Sequence, residues 1–141
     1  MPLTPAANPD EAQEIERIIR EYFTAELGSP EEVDKAIVNL SEMVKEEGTK
    51  LVHLGNVLFL VMVRAANVVE VHTIGNEPQP RNLAQDFVDL AKYLKSIDVK
   101  TAYTYTQDNR FSRLAKMTGL PVKEFKADVE GTPMNVYVME L

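Results

Sequence analysis

Residues 51–74 read LVHLGNVLFLVMVRAANVVEVHTI, three apolar runs separated by Gly55-Asn56 and by Ala65-Ala66-Asn67. Runs of this length, rich in Val, Ile and Leu and broken by turn formers, predict three strands over 51–54, 57–64 and 68–74, joined tightly into an antiparallel meander. The middle run is apolar at every position from Val57 to Val63. A strand washed by water on one side alternates, whereas one that is apolar throughout is covered on both faces. Helices are therefore expected on both sides of the sheet.

The flanking sequence supplies them. Upstream, Ile15, Ile18, Ile19, Tyr22, Phe23 and Leu27 recur at three and four, the spacing of one helix face, and Gly28 is a natural stop. Ser29, Pro30, Glu31 and Glu32 then stand in the order of a cap, a first-turn proline and acids matched to the helix dipole. They open a second helix running to about Glu47, with Val33, Ile37, Leu40 and Val44 as its buried stripe. Residues 1–9, MPLTPAANP, carry three of the eight prolines and no periodic pattern. They are expected to form a flexible arm, followed by a single domain over 10–141.

Downstream of Gly75 come a Pro-rich loop and a helix from about Arg81 to Lys95, with Leu83, Phe87, Leu90, Ala91 and Leu94 inward. TAYTYT at 101–106 is β-branched and aromatic and predicts a strand, and Asn109 to Thr118 predicts a short helix closed by Gly119. Two last strands, 122–129 and 134–141, flank a turn at Glu130-Gly131-Thr132-Pro133. The predicted order is ααβββαβαββ, an α/β (α+β) chain with a mixed central sheet flanked by helices.

Composition narrows the chemistry. The 141 residues are 45% apolar and 26% charged, which fits one folded domain of ordinary size. Acids outnumber bases by 22 to 15, a net charge of −7, so nucleic acid and anionic lipid are not expected partners. The acidity lies in the front, where residues 1–48 hold twelve acids and four bases. With no Cys and only two His there is neither a thiolate nucleophile nor the ligand set of a common zinc site, and no metal is expected. No leader pattern is read and the longest apolar stretch is too short to span a bilayer, so a soluble product is expected. The sequence also lacks GxxxxGK[ST], GxSxG and HExxH.

TAYTYTQDNRFSRLAKMTGLPVKEF, residues 101–125, resembles a segment of the GCN5-related N-acetyltransferase (GNAT) superfamily: strand, Asn-started helix, Gly-ended turn, strand. The whole order of elements resembles that superfamily too, without its first strand. The resemblance implies a gap between the strands at 68–74 and 101–106 where acyl-coenzyme A pairs with free backbone, and a loop and helix start that receive its diphosphate. Carried onto this chain, it implies Val71 and Thr73 along the gap, Gly75, Gln79, Arg81 and Asn82 at the loop, and Asn109 at the short helix as cofactor-binding positions.

The family's loop pattern R/Q-x-x-G-x-G/A is here GNEPQPRNLAQ, with Gly75 its only glycine and two prolines that remove donors. The family's acid Tyr corresponds to Ala115, and Tyr103 and Tyr105 stand nearby on the preceding strand. Strand alternation along VVEVHTI puts Glu70 and His72 on one face, a carboxylate and an imidazole two residues apart. They are the candidate catalytic pair, since transfer to an amine needs a base and imidazole titrates near neutrality. Arg110, Arg113 and Lys116 make a basic ridge on the short helix.

The altered loop and missing Tyr, together with NRFSRLAKMTGL, also resemble acetyltransferase-like internal virion proteins of short-tailed phages. That resemblance implies a non-catalytic structural or interaction component of a virion, found there or in host cytoplasm. It would bind other virion proteins or itself through the acidic front or an edge strand, and need no cofactor. The alternative is an acetyl-CoA-dependent N-acetyltransferase with a variant phosphate loop.

Overall fold

The computed structural model describes residues 9–141. The elements are α1 (Pro9–Leu27), α2 (Pro30–Lys45), β1 (Thr49–Leu54), β2 (Val57–Ala65), β3 (Val68–Gly75), α3 (Pro80–Ser96), β4 (Thr101–Thr106), α4 (Arg110–Met117), β5 (Val122–Val129) and β6 (Thr132–Glu140). This is the expected order. Of the expected arm over 1–9, Pro9 opens α1 and the rest lies outside the described residues.

The six strands form one sheet in the order β1-β2-β3-β4-β6-β5. Every neighbouring pair is antiparallel except β3 and β4, which are joined through α3 and run parallel. That parallel pairing is short: Val68 faces Thr101, Val69 faces Ala102 and Glu70 faces Tyr103, and there it stops. Both strands continue, β3 to Gly75 and β4 to Thr106, so they part company at Glu70 and Tyr103.

β2 carries the core on both of its faces, as its unbroken apolar run requires. Val57, Phe59 and Val61 pack with Phe87, Leu90 and Leu94 of α3 and Leu114 of α4. Leu58, Leu60 and Met62 point the other way, onto Ile18 of α1 and Leu40 of α2. Leu58 and Phe59 are wholly inaccessible to solvent, and each such side chain contributes about 1.5–3 kcal/mol by leaving water. Aromatic rings continue the packing on the α3/α4 face, edge-on from Phe59 to Phe87 to Phe111 and tilted from Phe111 to Tyr137.

Two expectations about the core are corrected. Leu27 is 41% exposed because it belongs to the last turn of α1, beyond the sheet contact. The buried run of β2 ends at Met62, and Val63 is 56% exposed. The ladder between β2 and β3 slips between Val63 and Ala65, a β-bulge that sets Arg64 out of regular alternation.

Truncation should follow this burial. Leu58→Ala is expected to lower unfolding stability by about 2–5 kcal/mol, whereas Val38→Ala, at a 59% exposed site, should change it by about 0.5 kcal/mol or less. Urea denaturation of both variants checks the contrast, and equal losses would contradict the packing.

Candidate active site

Glu70 is the last residue of β3 paired with β4, and its carboxylate is buried, with only 8% of the side chain exposed. A buried carboxylate must be bonded or it neutralises. Four side chains do this. Arg64 Nε donates to Oε1 at 3.0 Å, and the Tyr103 hydroxyl donates to the same oxygen at 3.1 Å. The Tyr105 hydroxyl donates to Oε2 at 3.2 Å, and His72 Nε2 contacts Oε2 as well. The His72 ring also stands edge-on to Tyr105, with centroids 5.0 Å apart.

Local geometry explains the convergence. Glu70 and His72 alternate onto the same face of β3, the face that also carries Ile74 into the α1/α2 core. Tyr103 sits directly across the last β3–β4 pair, and Tyr105 is one repeat further along β4. The bulge in β2 re-aims Arg64 toward Glu70. Burial alone would raise the Glu70 pKa and is the largest single influence, but the hydrogen bonds from His72, Arg64 and Tyr103 together outweigh it and hold the group below the usual range. Burial first, and then the Glu70 charge, push Tyr103 and Tyr105 upward.

The expected pair, Glu70 and His72, is thus in direct contact. Its tyrosine and arginine partners were not expected as a set. Tyr103 and Tyr105 carried one usable signal, alternation onto a single face of β4. Arg64 carried none, because a bulge is not written in apolar periodicity.

The cofactor positions divide into two groups. Val71 is buried toward α3 and α4, Thr73 is half-buried, and both lie beyond the end of the β3–β4 pairing, along the gap. Gly75 closes β3 at φ +111°, and a Cβ there would lie 2.8 Å from Ile18 Cγ2 and 3.0 Å from the Asn56 carbonyl oxygen. Gln79 is the N-cap residue of α3 and makes no side-chain cap bond, Pro80 opens the helix, and Arg81 and Asn82 are exposed in its first turn. Asn109 stands apart: it precedes α4, but its side-chain oxygen accepts from Asn135 Nδ2 at 3.0 Å. Asp108 takes the capping task, accepting the Arg110 backbone N–H at 2.9 Å. Asp108 also pairs with the Arg110 guanidinium at 2.8 Å, which draws Arg110 out of the expected basic ridge.

A second acidic pair lies beneath the β3–α3 loop. Asp86 of α3 is 8% exposed, and its Oδ2 has no hydrogen-bond partner. Glu77 of the loop accepts from Asn56 Nδ2 at 2.9 Å and lies against Asp86. Both carboxyls crowd Gly55, where a Cβ would fall 2.5 Å from Glu77 Oε2 and 2.9 Å from each Asp86 oxygen. Burial, then the bond to Glu77 and its charge, push Asp86 up to about 8. At neutral pH the pair shares one proton, which ties the loop to α3, while Asn56 donating to Glu77 ties it to the β1–β2 turn.

Among the described residues no group of three or more His, Cys, Asp and Glu is placed to hold a metal ion, and no helix is long and apolar enough to cross a membrane.

An acid whose native pKa lies above its unfolded value contributes stability that is complete below the unfolded value and is lost as pH rises to the native one. For Asp86 the window runs from 3.8 to about 8. Thermal melts between pH 5 and 8 should therefore show the wild type losing several degrees relative to Asp86→Asn. Parallel melting curves would contradict the shared proton.

No family model and no curated protein matches the sequence. Solved structures do match in fold. Aminoglycoside 6'-acetyltransferase type Ii superposes with a TM-score of 0.67 at 13% identity, over 99% of this chain and 95% of that one. A probable acetyltransferase of the GNAT family from Chromobacterium violaceum gives 0.65 at 15%, over 100% and 85%. An acetyltransferase from Bacillus subtilis, in complex with CoA, gives 0.55 at 12%, over 77% and 86%. The sheet order, the parting of β3 and β4 and the helices on both faces together make this chain one with the GNAT fold.

Proposed function

We propose that the chain is an acyl-coenzyme A-dependent N-acyltransferase that uses His72 as base and Glu70 to orient it. The observation that carries this reading is the buried Glu70 carboxylate, held by four donors at the point where β3 and β4 separate. A purely structural sheet gains little from a buried charge that must be matched so fully.

The residues present suit an acyl-coenzyme A. Beyond Glu70 and Tyr103 the two strands are unpaired with one another, which leaves backbone along Val71–Gly75 for an extended ligand arm. The start of α3, with no side-chain cap and with Arg81 exposed, offers positive charge to a diphosphate. Glu77 is turned onto Asn56 and Asp86, which keeps its charge engaged away from that helix start. One solved neighbour of the same fold is a complex with CoA. Such a thioester supplies an activated acyl carbonyl, whose C–S bond breaks as a C–N bond to the acceptor amine forms.

His72 is the better base because it is the more accessible member, 29% exposed against 8% for Glu70. With Nε2–H donated to Glu70, Nδ1 keeps its lone pair for the amine proton. Glu70 fixes that tautomer and stabilises the imidazolium that results. Tyr103 and Tyr105 donate to Glu70, so they hold the carboxylate in place and are not free acids. Ala115 supplies no proton, and the departing thiolate takes its proton from water.

A second reading keeps the fold without the chemistry, as a structural or interaction component of a virion that binds other virion proteins or itself. Pro78 in the loop, Pro80 at the first position of α3 and Ala115 in place of a Tyr favour it. Sheet edges at β1 and β5, with Phe125 half-exposed, offer the contact.

Thiol release from acetyl-coenzyme A with a panel of amines tests the first reading. His72→Ala is expected to lower kcat by about 100-fold or more, in the usual range for a lost general base. Glu70→Gln should cut kcat less and displace the pH–rate profile. Unchanged rates in both variants would remove the assignment, and the absence of both turnover and thermal stabilisation by the coenzyme would favour the second reading.

A further inference from the structure

On the α3/α4 side of the sheet, opposite the Glu70 cluster, lies a cavity of about 50 Å³. Its walls include Val71 of β3, Ala102 and Thr104 of β4, and Phe111, Leu114 and Ala115 of α4. It therefore touches both strands beside the place where their pairing ends. The wall is almost wholly hydrocarbon. The buried Tyr137 that reaches it has its hydroxyl engaged by Ser112 at 2.9 Å and by Glu124 at 3.1 Å. Thr118 at the rim has its hydroxyl donated to the Ala115 carbonyl, so the space offers a ligand almost nothing but hydrocarbon and its occupant is apolar.

We propose that this cavity seats the tail of an acyl group longer than acetyl, so that the transferred group is a short-chain acyl of about four to six carbons. The proposal rests on the acyltransferase reading. At about 10–15 Å³ for each water-sized group, the cavity takes about three to five carbon atoms. The β3–β4 pairing ends between this cavity and the face bearing His72 and Glu70, so a carbonyl standing at that end would face the pair while its chain pointed inward. Ala115 is decisive for the room available, because a larger side chain at that position of α4 would fill it.

The test is binding and turnover with acetyl-, butyryl-, hexanoyl- and decanoyl-coenzyme A, read by calorimetry and by thiol release. Affinity is expected to rise about fourfold per added methylene up to about hexanoyl and then stop, with kcat/KM following. Ala115→Phe should cut the hexanoyl-to-acetyl affinity ratio at least about tenfold, a melt confirming that the variant is folded. The wild-type series stands without the variant. Binding and release with acetyl that match or exceed those with hexanoyl would overturn the acyl-tail site alone. No binding and no release with any of the four would overturn the acyltransferase reading with it.

Discussion

The Glu70 carboxylate is buried and ionised, and the structure around it depends on keeping it so. Its four partners come from three adjacent strands, Arg64 from β2, His72 from β3 itself, and Tyr103 and Tyr105 from β4. A charge in that position without its donors would cost several kcal/mol, so the cluster fixes the register of β4 on β3 where only three residue pairs hold the strands together. The same point is where the strands diverge. One constraint thus serves both ends: it pins a short parallel ladder and places a base beside the opening that the ladder leaves.

The two faces of the sheet divide the work. The α1/α2 face carries the polar cluster above a core of Leu58, Leu60, Met62 and Ile74. The α3/α4 face carries an aromatic and aliphatic core with a cavity at its margin. β2 can separate the faces because each of its residues from Val57 to Met62 is buried on one side or the other. Glu77 then fastens the loop leading into α3 both to Asn56 in the turn between β1 and β2 and to Asp86 of α3. Gly55 fits closely there, and a Cβ would press on the carboxyl oxygens and oblige the pair to shift.

Much of the fold was legible because strong periodicities were in play. An unbroken apolar run predicted a doubly covered strand, helical spacing predicted the three longer helices, and Gly28 and Gly119 marked stops. What escaped was set by tertiary contact. Arg64 follows directly on the apolar run of the middle strand, and a bulge that periodicity does not show turns it onto Glu70. Asp86 occupies the apolar stripe of α3, three residues after Leu83 and four before Leu90, and that spacing was the sign that it is buried. Asn109 had the position of a cap, but the backbone adopts helical angles there and Asp108 does the capping. The Glu70–His72 pair was visible through strand alternation, whereas its tyrosine partners belong to a strand thirty-odd residues away in sequence.

The most direct measurement is the change in backbone amide resonances when coenzyme A is titrated into uniformly ¹⁵N-labelled protein. If the opening between β3 and β4 is a binding cleft, the amides of Val71, Thr73 and Thr104–Thr106 should shift together and saturably with those at the start of α3. A spectrum unchanged at high coenzyme concentration, or shifts confined to α1 and α2, would contradict the account.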